Sequence, residues 1–537
     1  MKTREVQAEK QAHGSLWAIV LTIVCTFTVI TGNGSLTMVS IALPLMAEDL
    51  NIPQARLQWI ISAYSLSSGC FFLLFGRIAD LYGRKRVFVV GQVWFAAFTL
   101  GGGFARNDIV LDVLRALAGM APAATIPAAL GILAHAFPPG RARSLAFACF
   151  SAGAPLGGVV GWVVAAPLVQ FSSPTWRTPF YLMAGLGLLL GVAAFFVIDN
   201  DNQPALSSDG TEGGADRSID WVGAALITTG LVLLTFALAQ GEVAEQGWKT
   251  PYIIALLVVS PFFVAAFVVW EWWYEHRQNR APLLRVGIFT RGRGTFSVVL
   301  AIAFFEFCAF YAWIYWTTLF YQQLQGKTPM LVMVRFLPMP VVGLSLNVLV
   351  GFFAAHIPLV YLVVGGTGAT ALACLLFAII DEHATYWAYN FPAAVLSVFG
   401  ADLVFAPGSI YVAKIALPHE QSVAGGLFQT VVQLGSAFGI AISTIVHDAG
   451  VRGEMRKQGI SDHLEDVATA PHAAQLRGYR DGFWTSFAFV IFGMVLGALF
   501  LRRVGVVGDK SPKKVVVDDQ SEESRGLDEK RDAPASS

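Results

Sequence analysis

Charged side chains are scarce in this sequence. Only 13% of its 537 residues are Lys, Arg, Asp or Glu, whereas 55% are hydrophobic. A soluble domain carries roughly 25% charged residues. The scarcity of charge, together with a mean hydropathy of +0.61, excludes an ordinary soluble protein and indicates a chain that crosses a lipid bilayer several times.

The sequence has no excess of positive or negative charge, because 36 basic residues balance 36 acidic ones. Since nucleic-acid-binding domains are usually basic, we expect no nucleic-acid partner. The sequence has no Gly-x-Gly-x-x-Gly after a strand, no Gly-x-x-x-x-Gly-Lys-Ser/Thr phosphate loop and no Cys-x-x-Cys. We therefore predict neither an enzyme nor a cofactor, and we do not expect ATP hydrolysis to drive the activity.

Cysteine is rare, and none of it lies in a polar loop. The five cysteines are Cys25, Cys70, Cys149, Cys308 and Cys374, and all of them fall inside apolar runs. An odd number in such places does not suggest a disulfide framework or a metal site. We expect small buried thiols that pack between helices.

Long apolar runs are what the sequence has instead. A membrane-spanning helix needs about 20 mostly apolar residues, and we predict fourteen such spans. They are residues 15–38, 57–76, 87–105, 110–135, 144–168, 178–198, 220–240, 251–274, 295–323, 331–354, 358–380, 387–411, 423–445 and 483–502. The fold class is therefore an all-α polytopic membrane protein.

The distribution of Lys and Arg predicts the orientation. Most of the 36 basic residues lie at the termini or in the loops that follow the second, fourth and other even-numbered spans. Cytoplasmic loops carry an excess of such residues. We expect both termini in the cytoplasm and the protein in the plasma membrane. A long loop, 446–482, would then lie outside.

A charged run separates the second and third spans. It reads Gly76-Arg77-Ile78-Ala79-Asp80-Leu81-Tyr82-Gly83-Arg84-Lys85-Arg86. Such charge cannot lie in hydrocarbon, so we predict a tight loop at the membrane surface, where glycines allow a sharp reversal. Asp80 can pair with Arg84 or with the N-terminal dipole of a nearby helix.

The charged run resembles the signature loop between the second and third helices of the major facilitator superfamily, Gly-x-x-x-Asp-x-x-Gly-Arg-x-x. Four other stretches add to this resemblance, which is closest to the fourteen-span drug:proton antiporter branch and to its fungal members. They are Ile41-Ala42-Leu43-Pro44, Leu114-Arg115-Ala116-Leu117-Ala118-Gly119, Gly153 to Gly161, and Ile219-Asp220-Trp221-Val222-Gly223.

The resemblance implies two six-helix bundles, two additional helices between them, and a gate formed by the charged run. The gate residues would be Gly76, Asp80, Gly83, Arg84 and Lys85. The parts of the chain would be an N-terminus at 1–14, a first bundle at 15–199, a flexible linker at 200–219, two extra helices at 220–275, a second bundle at 276–505 and a disordered cytoplasmic tail at 506–537. The polar composition of the linker and the tail cannot form a packed core.

The resemblance further implies export of a drug, toxin or secondary metabolite in exchange for protons, by a monomer in the lipid bilayer. The sequence departs from the branch at Ser35, where an Asp is usual, and at Gly158, where Gly-Pro is expected. The second-half counterpart of the charged run is nearly lost around Gly351 to His356. Transport of a small polar or inorganic solute such as ammonium or borate therefore stays open, as does a receptor or sensor built on a transporter fold.

Four polar residues within the predicted spans are candidates for proton coupling or for the substrate cavity: Arg115, Glu306, Asp402 and Asn33. An ionisable group at mid-membrane costs roughly 2.5–3.5 kcal/mol on insertion scales. Arg115 could instead pair with Asp112, and Glu306 and Asp402 could make structural hydrogen bonds. The phenylalanines beside Glu306 should desolvate it and favour its protonated form, and we expect a broken helix around Asn33.

Small residues repeat in the two halves of the chain. The antiporter-like stretch contributes Gly153, Pro155, Gly157 and Gly161, and the thirteenth span contributes Gly435 and Gly439. Small residues four apart allow helices to approach closely. Both stretches would lie in the fifth helix of a bundle, as a duplicated architecture requires.

The predicted topology can be tested with protease-sensitive tags. Tags at residues 5 and 530 should be protected in intact cells, whereas a tag near residue 460 should be cleaved, because only the last one would lie outside. Cleavage of either terminal tag would contradict the even number of spans or the orientation.

Overall fold

The computed structural model describes residues 2–52, 59–138, 140–172, 175–199, 219–241, 244, 246–278, 282–353, 356–382, 384–458 and 470–507. The predicted linker, apart from its last residue, and almost all of the predicted tail lie outside these residues.

The described residues form fifteen α-helices and a few short 3₁₀ segments, with a single isolated β-bridge between Pro358 and Val506. The helices are α1 Lys2–Leu50, α2 Trp59–Tyr82, α3 Arg84–Gly103, α4 Asp108–Ala136, α5 Arg141–Phe171, α6 Thr178–Val197, α7 Trp221–Gln240, α8 Pro251–Gln278, α9 Thr295–Leu319, α10 Pro329–Phe336, α11 Pro338–Phe353, α12 Leu359–Ala378, α13 Asn390–Ile415, α14 Gln421–Lys457 and α15 His472–Phe500. The predicted all-helical class is confirmed.

Thirteen helical segments of the described chain are long and apolar enough to cross a membrane. The helix α3 is not among them: it begins with Arg84-Lys85-Arg86 and also contains Gln92 and four glycines, which lower its mean hydropathy. It nevertheless packs antiparallel along α6: Gln92 faces Gly191 near one end, and Phe180 faces Gly102 near the other. The α3 helix therefore occupies the position of the third predicted span.

Several predicted boundaries differ from the structure. The tenth span is divided into α10 and α11, which meet at Leu337 before Pro338, a residue that cannot continue a helical hydrogen-bond ladder. The thirteenth span was placed at 423–445, but α14 continues to Lys457 and α15 begins at His472. Much of the predicted loop 446–482 is therefore helical.

Cys149 is exposed and the other four cysteines are buried, so the expectation of buried thiols was wrong at that position.

The helices pack as two groups with a helix pair beside them. The first bundle is α1–α6, the second bundle is α9–α15, and α7 and α8, here called the extra pair, pack on each other. The extra pair also contacts α2, where Trp59 packs on Phe236 with ring centroids 5.5 Å apart and Cys70 lies 3.4 Å from the Thr235 hydroxyl. The extra pair is therefore attached to the helix that carries the charged run.

The same close contact occurs in both bundles, between the first span and the fifth, when α10 and α11 are counted as one span. In the first bundle, glycines of α5 lie against backbone carbonyls of α1; the pairs are Gly153 with Thr26, Gly157 with Ile30, and Gly161 with Gly34. In the second bundle, glycines of α14 lie against carbonyls of α9; the pairs are Gly435 with Phe304 and Gly439 with Cys308. The spacing of four residues on both partners explains the small-residue repeat, because a side chain at these positions would meet a backbone.

The expected break in α1 is not there. The helix is continuous through Asn33, Gly34 and Ser35. Asn33 Nδ2 donates to the carbonyl of Val29 at 3.2 Å, and Thr31 Oγ1 donates to that of Thr28 at 3.0 Å. Polar side chains that bond to their own helix need no break in it, so this prediction was wrong.

Two neighbouring glycines provide a matched test of the α1–α5 contact. A Cβ on Gly157 would lie 2.7 Å from the Ile30 carbonyl oxygen, whereas a Cβ on Gly158 would meet nothing within 4 Å. We expect Gly157→Ala to lower stability by about 1–3 kcal/mol through overpacking. Gly158→Ala should not lower it, because alanine meets no neighbour there and favours the helix. Thermal unfolding of the purified variants measures both, and equal melting temperatures would contradict the contact.

Candidate functional site

The charged run is mostly helical, not a loop. The α2 helix continues to Tyr82, α3 begins at Arg84, and only Gly83 lies between them, with φ 102°. This left-handed conformation favours glycine. The predicted tight loop is therefore a single residue, because the charges of α2 are satisfied by other helices and do not require an unfolded surface segment.

Asp80 joins the first bundle to the second. Its side chain is fully enclosed and accepts hydrogen bonds from the backbone N–H groups of Val423 at 2.9 Å and Ser422 at 3.2 Å. These groups are the unpaired donors in the first turn of α14, where the helix dipole favours a negative charge. Arg84 lies 3.1 Å from the same carboxylate. Both pairings expected of Asp80 are thus present at once.

Arg84 extends this contact to two further segments. Its Nη1 donates to the carbonyl of Gly131 in α4 at 3.2 Å, its Nη2 donates to that of Pro418, and its Nε donates to Ser422 Oγ at 3.2 Å. One guanidinium therefore connects α3 with α4 and with the start of α14. We call the end of the molecule that contains Gly83, Gly140 and Pro418 the basic end.

The other predicted gate residues have different positions. Gly76 lies under the start of α14, where a Cβ would come within 2.8 Å of the Ser422 carbonyl oxygen. Lys85 instead lies over the Phe195 ring of α6, 5.2 Å from its centroid. Four of the five predicted residues thus form or surround the inter-bundle contact, whereas Lys85 packs on a helix of the first bundle.

Two contacts at the basic end were not predicted. Arg143 of α5 donates from Nη2 to the carbonyl of Ala413 in α13 at 2.9 Å, which is a second link between the bundles. Arg291, in the 3₁₀ segment Val286–Gly294, pairs with Glu420 just before α14. Both arginines contributed to the predicted orientation, but sequence distance concealed their partners, 270 and 129 residues away.

Arg115 is enclosed within the first bundle. It is 1% exposed, its Nε donates to the Ile60 carbonyl at 2.9 Å, its Nη1 donates to Ser35 Oγ at 3.1 Å, and its guanidinium lies 4.4 Å from the Tyr64 ring centroid. The residue that replaces the usual Asp is therefore its direct partner. Burial shows that Arg115 does not face an open cavity, and Nη2 has no hydrogen-bond partner among the described residues.

Glu306 lies in the interior of the second bundle and is fully buried. Thr370 of α12 donates to its Oε1 at 2.8 Å, and Gly400 of α13 lies against the same oxygen. Its Oε2 has no hydrogen-bond partner within the described part of the chain. A buried carboxylate with one open oxygen can hold a proton there.

The phenylalanines beside Glu306 do not surround it. Phe304 packs on Phe438 of α14, Phe305 on Phe492 of α15, and Phe307 on Phe405 of α13. Consecutive residues point about 100° apart on a helix, so these rings face other helices. The carboxylate is desolvated by its enclosure between α9, α12 and α13, which corrects the predicted cause.

Asp402 lies where the two bundles meet. It is 8% exposed, and Asn347 of α11 lies beside it. The position of a Cβ on Gly343 would be 2.9 Å from Asp402 Oδ2 and 3.5 Å from Pro155 Cγ, which belongs to α5. Asp402 therefore adjoins the antiporter-like stretch of the first bundle. Arg115, Glu306 and Asp402 do not form one cluster.

An aromatic wall on α9 was missed by the sequence analysis. Phe307 packs on Phe310 and on Tyr311, with ring centroids 6.2 and 6.0 Å apart, and Tyr311 is 36% exposed. The helices α13 and α14 cover the two flanks of this face, through Phe405 and Phe438. A partly exposed tyrosine ring beside other aromatic rings is suited to stack on a planar ligand. The i, i+3, i+4 spacing of these aromatic residues was the available signal.

Comparison with known proteins points to one family of membrane transporters. Residues 22–440 match the family model of the Major Facilitator Superfamily. The low affinity ammonium transporter of Saccharomyces cerevisiae is 31% identical over 448 residues, 83% of this chain and 81% of that protein. Efflux pump terJ of Aspergillus terreus is 27% identical over 92% of this chain and 90% of the pump.

A solved structure shares the fold. The proton:xylose symporter XylE, bound to 6-bromo-6-deoxy-D-glucose, superposes with a TM-score of 0.61 at 12% identity, over 93% of this chain and 98% of that one. At this identity the similarity concerns the fold alone.

The contacts of Asp80 predict the behaviour of a variant at this position. Asp80→Asn removes the charge that pairs with Arg84 and with the first turn of α14, so it should abolish transport while expression and substrate binding stay largely intact. Arg86→Gln is the matched control, since Arg86 belongs to the same charged run but is exposed. Transport assays in cells test this, and wild-type rates in Asp80→Asn would refute a gate at the basic end.

Proposed function

Since the chain belongs to the Major Facilitator Superfamily and is a multi-pass membrane transporter, not an enzyme, we propose that it exports a small organic compound in exchange for protons. The observation that carries this proposal is Glu306, a buried carboxylate with one bonded and one open oxygen in the middle of α9. An antiporter needs such a group to accept a proton from one side and release it to the other. Efflux pump terJ, which matches over almost the whole length of both chains, supports export.

The proposed mechanism is rocking of the first bundle against the second around a central cavity. Asp80 and Arg84 hold the bundles together at the basic end, so the cavity is inferred to open at the other end. With both termini in the cytoplasm, this conformation would face outward. The substrate would lie against the aromatic wall near Tyr311, between the bundles.

The finer assignments are part of the same proposal. We infer a member of the fourteen-span drug:proton antiporter branch, of fungal type, that acts as a monomer in the plasma membrane. Its substrate would be a drug, a toxin or a secondary metabolite, and its other partners would be protons and the surrounding lipid. Residues 15–199 and 276–505 would be the two moving bundles, and 220–275 the extra pair.

Transport of ammonium is the second candidate. It is favoured by the similarity to the yeast ammonium transporter and by Ser35, which leaves the first bundle without the usual acidic residue on α1. Inverted vesicles separate the two candidates. Proton flux that depends on an organic compound supports export, whereas ammonium entry driven by membrane potential alone supports the alternative.

Glu306→Gln tests the coupling residue directly. The amide mimics the protonated carboxyl, so the variant should keep counterflow exchange of substrate but lose transport driven by a pH gradient. The physical reason is that an ionised Glu306 resists reorientation, since moving one charge across 100 mV costs roughly 2.3 kcal/mol. A substrate is first identified by growth of a deletion strain across a toxin panel, and both assays then use that compound in proteoliposomes.

Asp402→Asn is the comparison variant for this experiment, because Asp402 is the other buried carboxylate among the candidates. We expect it to keep transport driven by pH. If Glu306→Gln still concentrates substrate when pH alone drives it, coupling does not depend on Glu306.

A further inference from the structure

The two bundles meet on two sides of the basic end. One side is the contact of α2 with α14, which contains Asp80. The other side is the contact of α5 with α11, where a Cβ on Gly351 would lie 2.9 Å from Leu145 Cδ1 and 3.2 Å from Ala148 Cβ. Residues 351–356, which the sequence analysis compared with the charged run, contain no carboxylate. Close packing is therefore present on both sides, whereas the carboxylate is present on one.

A cation of the first bundle bonds to the second bundle on the α5–α11 side. Arg143, in the first turn of α5, is 5% exposed, and its Nη2 donates to the carbonyl of Ala413 at 2.9 Å. The α13 helix ends two residues after Ala413, so this carbonyl is one of those that have no partner within the helix. In a longer helix the N–H of Leu417 would bond to it, but that N–H donates to Glu420 Oε1 at 3.0 Å. Arg143 therefore supplies the donor that the end of α13 lacks.

Asp80 and Arg143 bond to two helices that meet at one short connection, residues 416–420. The carboxylate of Asp80 lies at the positive, N-terminal end of the α14 dipole, and the guanidinium of Arg143 lies at the negative, C-terminal end of the α13 dipole. Arg84 bonds to Pro418 within the connection itself. Side chains of the first bundle thus hold both ends of this connection, with opposite charges that each match a helix dipole.

We propose that Arg143 is a second gate residue, which closes the α5–α11 side of the basic end as Asp80 closes the α2–α14 side. Rocking the bundles apart at the basic end must break the bond between Arg143 and Ala413, and a buried cation without its partner is unfavourable. Since each bundle moves as a unit, loss of either residue favours separation on both sides. The proposal rests on the rocking mechanism proposed above, but not on the substrate or on proton coupling.

Two cysteine reporters test the two sides separately. Leu130 of α4 is 3% exposed and packs against Gly425 of α14, and Ala148 of α5 is 1% exposed and faces Gly351 of α11. In a full-length, otherwise cysteine-free protein in nanodiscs, Leu130→Cys and Ala148→Cys, each introduced alone, should react slowly with a membrane-impermeant maleimide. Arg143→Met removes the donor but keeps a long side chain. It should raise both rates about tenfold, as expected when a hydrogen bond from a charged donor is lost.

Arg502→Met is the matched control. Arg502 is exposed, and its Nε donates to the carbonyl of Ala498 at 2.7 Å, within its own helix α15. The bond is of the same type as that of Arg143 but crosses no boundary between bundles, so its loss should change neither reporter rate.

The two reporters distinguish a gate role from local packing. A packing role predicts a faster rate for Ala148→Cys alone, because disorder at the start of α5 would not reach the contact of α4 with α14. That outcome, or unchanged rates for both reporters, would overturn the proposal. Size-exclusion profiles show whether each variant is folded, and Arg143→Gln replaces Arg143→Met if the latter is not.

Asp80→Asn separates failure of this proposal from failure of the gate as a whole. If Asp80→Asn raises both reporter rates and Arg143→Met raises neither, the second gate residue is refuted and the rocking mechanism stands. If neither variant changes either rate, the basic end is not a gate and the rocking mechanism proposed above fails as well.

Discussion

The contact on which the arrangement of the bundles depends is the enclosed carboxylate of Asp80 at the first turn of α14. This side chain neutralises Arg84 of its own bundle. Across the boundary between the bundles, it also accepts from two backbone N–H groups and complements the dipole of α14. A charged group removed from water is stable only while all these partners stay in place. The contact therefore favours two discrete states, bundles joined or bundles apart, which is what a gate requires.

The sequence was sufficient for features that depend on neighbours along the chain. The apolar runs predicted the helices, the spacing of Gly153, Gly157 and Gly161 predicted a close helix contact, and the order of charges around Asp80 predicted its pairing with Arg84. Each of these follows from a local rule of length, period or charge. The expectation of a break at Asn33 was wrong. It took no account of the hydrogen bonds that polar side chains can make to backbone carbonyls of their own helix.

Except for the aromatic wall on α9, the contacts that the sequence did not reveal join residues far apart in the chain. Arg143 donates to the carbonyl of Ala413, Arg291 pairs with Glu420, and Glu306 accepts from Thr370. The position of a residue on its helix decides the direction in which its side chain points, but nothing local states which distant helices lie in that direction. For the same reason the three phenylalanines next to Glu306 suggested an aromatic surrounding, while the structure turns each ring toward a different helix.

The positions of the buried charges constrain how a proton could be linked to rocking. Rigid rocking changes contacts between the bundles and preserves contacts within each, so Arg115 with Ser35 and Glu306 with Thr370 would move as units. The α13 helix reaches both environments: Gly400 lies against Glu306, and Asp402, two residues later, lies at the boundary beside Pro155 of α5. A change at the boundary can therefore reach Glu306 through a shift of α13. Pro407 interrupts the hydrogen-bond ladder of α13 within two turns of these residues, which makes such a shift less costly than in an uninterrupted helix.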